Sequence, residues 1–134
     1  ALKALATDPE ICSSVLTGNI AANARVKLKA FGIDGLLDMS VGGYGEDSED
    51  RAGLVDAARA RIHTAHGVAM TTPTVLIGDT PRDVRAAHDT GAHCIGVASG
   101  IHSVAELRAA GADFVVPDLT DTDGLLAHLR AAAA

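Results

Sequence analysis

Asp79 and Asp83, four positions apart in the segment VLIGDTPRDV, have the side-chain chemistry and spacing of a metal-binding pair. The apolar run 74–77 reads as a strand ending in Gly78-Asp79, and Pro81 opens the next helix, which puts Asp83 in its first turn. That arrangement predicts two carboxylates converging on one point at the end of a strand. Carboxylate oxygens in such a place suit Mg²⁺, a hard ion that takes few protein ligands and keeps waters for a phosphate substrate. Gly78 would let the backbone pass close to the ion. The same residues also admit a plainer use, in which Asp79 ends a strand and Asp83 charges or caps a helix N-terminus.

A second group carries anion-binding chemistry. The run 12–16, CSSVL, reads as a short strand stopped by Thr17-Gly18-Asn19, and ligands of parallel sheets bind beyond the carboxyl ends of the strands. Arg51 falls in the first turn of a helix over 51–66, where a cation opposes the macrodipole and needs negative charge nearby. A bound phosphate would serve, and so would the acids Glu46, Asp47, Glu49 and Asp50. Lys27 is the alternative basic residue, although ARVKLKAF reads as an amphipathic face with Lys27 and Lys29 in solvent.

Positioning these residues requires an alternation of strands and helices. The spacing predicts helices over 1–7, 20–31, 51–66, 81–90, 104–110 and from about 122 to the terminal alanines. Thr7-Asp8-Pro9 ends the first; Gly32, Gly91 and Gly111 stand at C-terminal exits; Ser48 or Asp50 caps the third. Strands are expected over 12–16, 37–41, 74–77, 93–98 and 114–116, the run at 74–77 covered on both faces. This order predicts an α/β fold, a three-layer sandwich with a parallel Rossmann-like sheet wrapped by helices. Asp121-Thr122-Asp123-Gly124 reads as the N-cap cluster of the last helix, and Gly42-Gly43-Tyr44-Gly45 lacks the third glycine and following helix of a dinucleotide fingerprint. Ser99-Gly100 follows a strand and is a candidate to line the same crevice.

Composition narrows the function. The chain has 134 residues, 48% of them hydrophobic and only 2% aromatic, so the core must be built from Ala, Val, Leu and Ile, with one core as the working expectation. A net charge of −6 with scattered Lys and Arg gives no footprint for nucleic acid or an anionic membrane. No apolar run approaches the ~20 residues of a membrane span, and no signal-peptide pattern opens the chain. A soluble cytoplasmic protein is expected. Cys12 and Cys94 sit among apolar neighbours without the spacing of a zinc or dithiol motif, so both are expected buried and reduced. His63 and His66 lie three apart on one helix, but with no third ligand in sight they are expected in solvent.

The strand-GDTxxD pattern at 74–83 resembles the fourth motif of the haloacid dehalogenase-like (HAD) superfamily. SSVLTGN resembles the second, which assigns binding of the transferring phosphoryl group to Thr17, with Gly18 and Asn19 beside it. Arg51 resembles the basic residue of the third, and TGN, FGID and GGYGEDSEDR look like the phosphoglycolate phosphatase-like subgroup. The resemblance covers essentially the whole chain. It implies a Mg²⁺-dependent phosphomonoester hydrolase of small phosphorylated metabolites, with Asp79 and Asp83 as metal ligands and Thr17 and Arg51 as catalytic, phosphate-binding residues. Dehalogenation is disfavoured, because GDTxxD implies Mg²⁺, which that reaction does not need. The alternative is a non-catalytic phosphate- or metal-binding module.

The family's first motif, a strand followed by DxDxT whose first Asp is the nucleophile, has no counterpart here. Asp121-Thr122-Asp123 follows no apolar strand and has Leu125 where Thr belongs. The resemblance therefore implies that residues 1–134 are the C-terminal part of a catalytic core. Motif one and the cap would lie in an upstream segment, the central strand would be missing from this chain, and the chain alone would be inactive. The cap would supply most of the substrate specificity.

Overall fold

The computed structural model describes residues 2–8, 11–19, 21–30 and 32–133, which form two compact units, residues 2–71 and residues 72–134. The expected helix boundaries at Ala1, Ile20 and Phe31, and the break at Pro9, lie outside the described residues.

The first unit is helical. It holds α1 (Leu2–Thr7), α2 (Ala21–Ala30) and α3 (Arg51–His66), joined by loops and two 3₁₀ turns, Asp34–Leu36 and Met39–Val41. Helix α3 occupies the expected residues and ends at Gly67, whose φ of 67° places it in the left-handed region that closes helices most cheaply with glycine. Asp50 is its N-cap but makes no side-chain cap bond; Ser48 Oγ accepts from the Asp50 N–H instead. Leu54 and Val55 are buried, as are Val41 and Tyr44, whose hydroxyl donates to the Met39 carbonyl at 2.6 Å.

Two expected strands are not formed there. Residues 37–41 form no strand, and Met39–Val41 make the second 3₁₀ turn because the Asp38 side chain accepts from the Ser40 N–H and hydroxyl, a local bond that competes with a sheet ladder. Residues 12–16 are without regular structure except for one parallel bridge, Leu16 to Gly43. Thr17 N–H donates to Gly43 O and Gly43 N–H to Val15 O, each at 3.0 Å. The 3₁₀ turn just before Gly42 meets the segment through the Asp38 N–H, which donates to Ser13 O, and no ladder extends from the bridge. Cys12 is exposed, a correction to its expected burial: a segment outside a sheet has no second layer to cover it.

The second unit is the parallel α/β part: β1 (Val75–Gly78), α4 (Pro81–Thr90), β2 (His93–Val97), α5 (Val104–Ala110), β3 (Phe114–Val116) and α6 (Thr122–Ala133). The sheet order is β1-β2-β3, all parallel, with Ile77 opposite Ile95 and Ile95 opposite Phe114. Helices α4 and α5 pack on the sheet and on each other, burying Val84, Ala87 and Leu107 completely against a β2 in which Cys94 and Ile95 are also fully buried. Strand β1 departs from the expectation of cover on both faces, since Leu76 is buried while Ile77 keeps 39% of its surface exposed. Thr80 with Asp83 and Ser103 with Glu106 form capping boxes at the starts of α4 and α5. At α6, Asp121 accepts from the Gly124 N–H at 3.0 Å, the N-cap role expected of it. Burial, with Asp83 and Asp113 nearby, pushes the Cys94 thiol up to about 12, so it stays protonated and inert.

Candidate functional site

In the second unit, Asp79 follows the last residue of β1, and Asp83 lies in the first turn of α4. Asp83 is 8% exposed, and its Oδ2 accepts from the Thr80 N–H at 3.2 Å and the Thr80 hydroxyl at 3.1 Å. It therefore performs the capping role weighed for it, whatever else it binds. Its carboxyl lies where a Cβ on Gly78 would stand, and the exposed Asp79 carboxylate lies against Gly100, where a Cβ would come within 2.8 Å of Oδ2. Gly78 is needed to leave room for a carboxylate, and Gly100, in the segment after β2, lies beside the Asp79 side chain. Two hard oxygen donors on adjacent strand-end and helix-start positions are a donor set that fits Mg²⁺.

The two glycines should respond differently to a methyl group. Gly78→Ala must displace a buried, doubly hydrogen-bonded side chain and is expected to cost about 1–3 kcal/mol in urea unfolding. Gly100→Ala meets only the tip of an exposed carboxylate and should stay within about 0.5 kcal/mol.

In the first unit the Thr17-Gly18-Asn19 turn is built around one hydroxyl. Thr17 Oγ1 accepts from the Asn19 N–H at 3.1 Å and from the Asn19 side-chain amide at 3.0 Å. A threonine hydroxyl has two acceptor positions and one proton, so with Asn19 filling the acceptors its remaining capacity is to donate that proton. The loop after Gly43 wraps this turn: Gly45 N–H donates to Asn19 O at 2.9 Å, and the Glu46 carboxylate accepts from the Ala21 N–H at the start of α2. A Cβ on Gly45 would strike the Gly18 carbonyl, so the approach requires glycine.

Arg51, half-buried, is the first residue of α3. Two of the four acids expected to compensate it work elsewhere. Glu46 caps α2, and Asp47 forms a two-pronged pair with Arg61 while accepting from the Tyr44 N–H at 2.9 Å. Lys27, exposed as expected, donates from Nζ to Asn19 Oδ1 at 3.4 Å. Sequence reasoning missed that link to the Thr17-Gly18-Asn19 turn. The signal available was the spacing of Asn19 and Lys27 across the start of α2.

The Arg61 pair and the Tyr44 bond hold the Asp47 carboxyl down at about 2. Its folded value lies below the ordinary carboxylate range near about 4, so its contribution to stability is present above that range and is lost as pH falls toward about 2. Comparing melting curves, the gap between the unsubstituted chain and Asp47→Asn is expected to close over that window, and a gap that persists below it contradicts the pairing.

Among the described residues no helix is long and apolar enough to cross a membrane. A family model described as HAD-hyrolase-like matches residues 51–122. A protein of Dickeya dadantii (strain 3937) named "Probable phosphatase IndB" is 28% identical over a 118-residue alignment that covers 83% of this chain and 46% of that protein. The solved structure of a haloacid dehalogenase-like family hydrolase from Streptococcus pneumoniae superposes with a TM-score of 0.71 at 20% identity, covering 95% of this chain and 55% of the other. That of a predicted phosphatase from Clostridium acetobutylicum gives 0.70 at 20% identity, covering 94% and 58%. This chain thus spans about half the length of the relatives it matches, and the structural likeness establishes the fold. With more than half of its length inside the family model, the chain belongs to the HAD-like hydrolases.

Proposed function

We propose that this chain supplies the phosphate- and metal-binding residues of a Mg²⁺-dependent phosphomonoesterase acting on small phosphorylated metabolites in the cytoplasm. The observation that carries this reading is the Thr17 hydroxyl, both of whose acceptor positions are occupied by Asn19. A proton left to donate in this way is a donor fixed before the substrate arrives, which is what stabilises charge developing on a phosphoryl oxygen. Arg51 adds a cation, with Lys27 as the second candidate because its ammonium is tied to the same turn. Asp79 and Asp83 would hold Mg²⁺, which when bound supplies charge neutralisation for the transferring group. Thr80 orients Asp83 through two bonds and fixes the carboxyl at the start of α4. The nucleophilic carboxylate, which would carry an aspartyl-phosphate, and the acid-base carboxylate belong to a DxDxT segment outside residues 1–134.

The test is phosphate release from a panel of small phosphate esters by the polypeptide that joins this chain to that segment. Release that needs Mg²⁺ and stops with a chelator is expected. Turnover unaffected by chelation, or phosphate binding without turnover, would favour the non-catalytic module or a different chemistry.

A further inference from the structure

We propose that Cys12, Asp38 and His66 form a binding site for a divalent transition ion of the zinc class, built from none of the residues assigned above. The three come from separate stretches of the first unit. Even so, the Cys12 sulfur, an Asp38 carboxylate oxygen and an imidazole nitrogen of His66 all lie within 4.8 Å of one another. An ion with bonds of about 2.0–2.3 Å spaces its tetrahedral ligands by roughly 3.3–3.8 Å, so small side-chain rotations close the set.

The surrounding bonds hold this convergence in place. The Asp38 N–H donates to Ser13 O at 2.7 Å, and the Ser14 hydroxyl donates to Asp38 O at 2.5 Å, which fastens Asp38 to the residues after Cys12. Ser40 occupies Asp38 Oδ1 through its N–H and hydroxyl, while Oδ2 faces His66 Nε2 at 3.3 Å. His66 is the last residue of α3, where the negative end of the helix dipole favours a cation. His63, by contrast, is turned to the Val68 carbonyl at 2.6 Å and takes no part. Cys12 and His66 are both exposed, which leaves an entry path.

The ligand types select the ion. Thiolate with imidazole prefers zinc or cobalt, whereas Mg²⁺ and Ca²⁺ prefer all-oxygen sets. Binding exchanges the Cys12 S–H proton, released to solvent, for a sulfur–metal bond, with no change of oxidation state. Three protein ligands leave a fourth position for water or an added ligand.

Cobalt(II) titrated into the full chain under reducing, non-chelating conditions is the test, read by absorbance. A near-ultraviolet thiolate-to-cobalt band saturating at one equivalent is expected, unchanged in Cys94→Ser and in the Asp79→Asn/Asp83→Asn double variant, and absent in Cys12→Ser. His66→Ala and Asp38→Asn should weaken binding by at least about tenfold. No band in the unsubstituted chain, or a band that survives Cys12→Ser, overturns the site. Should Cys12→Ser lose its cooperative melting transition, the folded His66→Ala and Asp38→Asn variants decide: unchanged affinity in both overturns it as well.

Discussion

Asp79→Asn, in a polypeptide that joins this chain to a DxDxT segment as the proposed function requires, is expected to lower kcat for phosphate release by about 10²–10³-fold, the usual loss when one preorganised charge-stabilising group is removed. The substitution keeps the shape and takes away the charge. Asp79 is exposed and has no capping role, so folding should be unaffected. Asp83→Asn is expected to behave differently, because Asp83 is buried and its Oδ2 accepts two bonds from Thr80. An amide can keep those bonds only through its carbonyl oxygen, so this variant should lose activity together with up to about 1–2 kcal/mol of stability. Raising Mg²⁺ should partly rescue a ligand variant and leave a folding variant unchanged. Full activity in Asp79→Asn would remove it from the metal-binding set.

Ile95→Ala should have the largest effect on stability. Ile95 has no exposed surface and lies at the centre of the sheet, in register with Ile77 on one side and Phe114 on the other. Truncating such a side chain loses its transfer free energy and leaves a cavity, about 2–5 kcal/mol in total. Against the about 5–15 kcal/mol that holds a typical domain together, that is enough to put a marginal protein near its unfolding midpoint. Hydrogen exchange should show the loss as faster exchange across Val75–Gly78, His93–Val97 and Phe114–Val116. Ile101→Ala is the control, since Ile101 is 92% exposed and the change should be nearly neutral in the same measurement.

The second unit was largely legible because several signals agree there. Pro81 and Gly91 bracket α4, Ser103 and Gly111 bracket α5, and the helices Pro81–Thr90 and Val104–Ala110 and the strand Phe114–Val116 occupy the expected residues. Local chemistry set these boundaries, so local reading found them. The first unit was less legible because its outcome depends on partners distant in sequence. CSSVL has the composition of a strand, yet its one bridge is to Gly43; residues 37–41 have the same apolar look, yet the Asp38 side chain folds them into a 3₁₀ turn. The exposure of Cys12 follows from the first of these differences, and its meeting with Asp38 and His66 could not be read from spacing at all. At the candidate site, the residue types were visible but their hydrogen-bonding state was not. That Asn19 saturates the acceptor positions of Thr17, and that Lys27 reaches Asn19, are facts of geometry.

Mn²⁺, a paramagnetic stand-in for Mg²⁺, reports whether a hard divalent ion binds at Asp79 and Asp83. Added in small amounts to the isotope-labelled chain, Mn²⁺ should first broaden the amide signals of Gly78 to Asp83, with the exception of Pro81, together with that of Gly100 beside Asp79. Excess Mg²⁺ should restore them, and Asp79→Asn with Asp83→Asn should leave them sharp throughout. Signals from these residues that stay sharp while others broaden, or broadening that the double variant retains, would mean that the ion does not bind at Asp79 and Asp83.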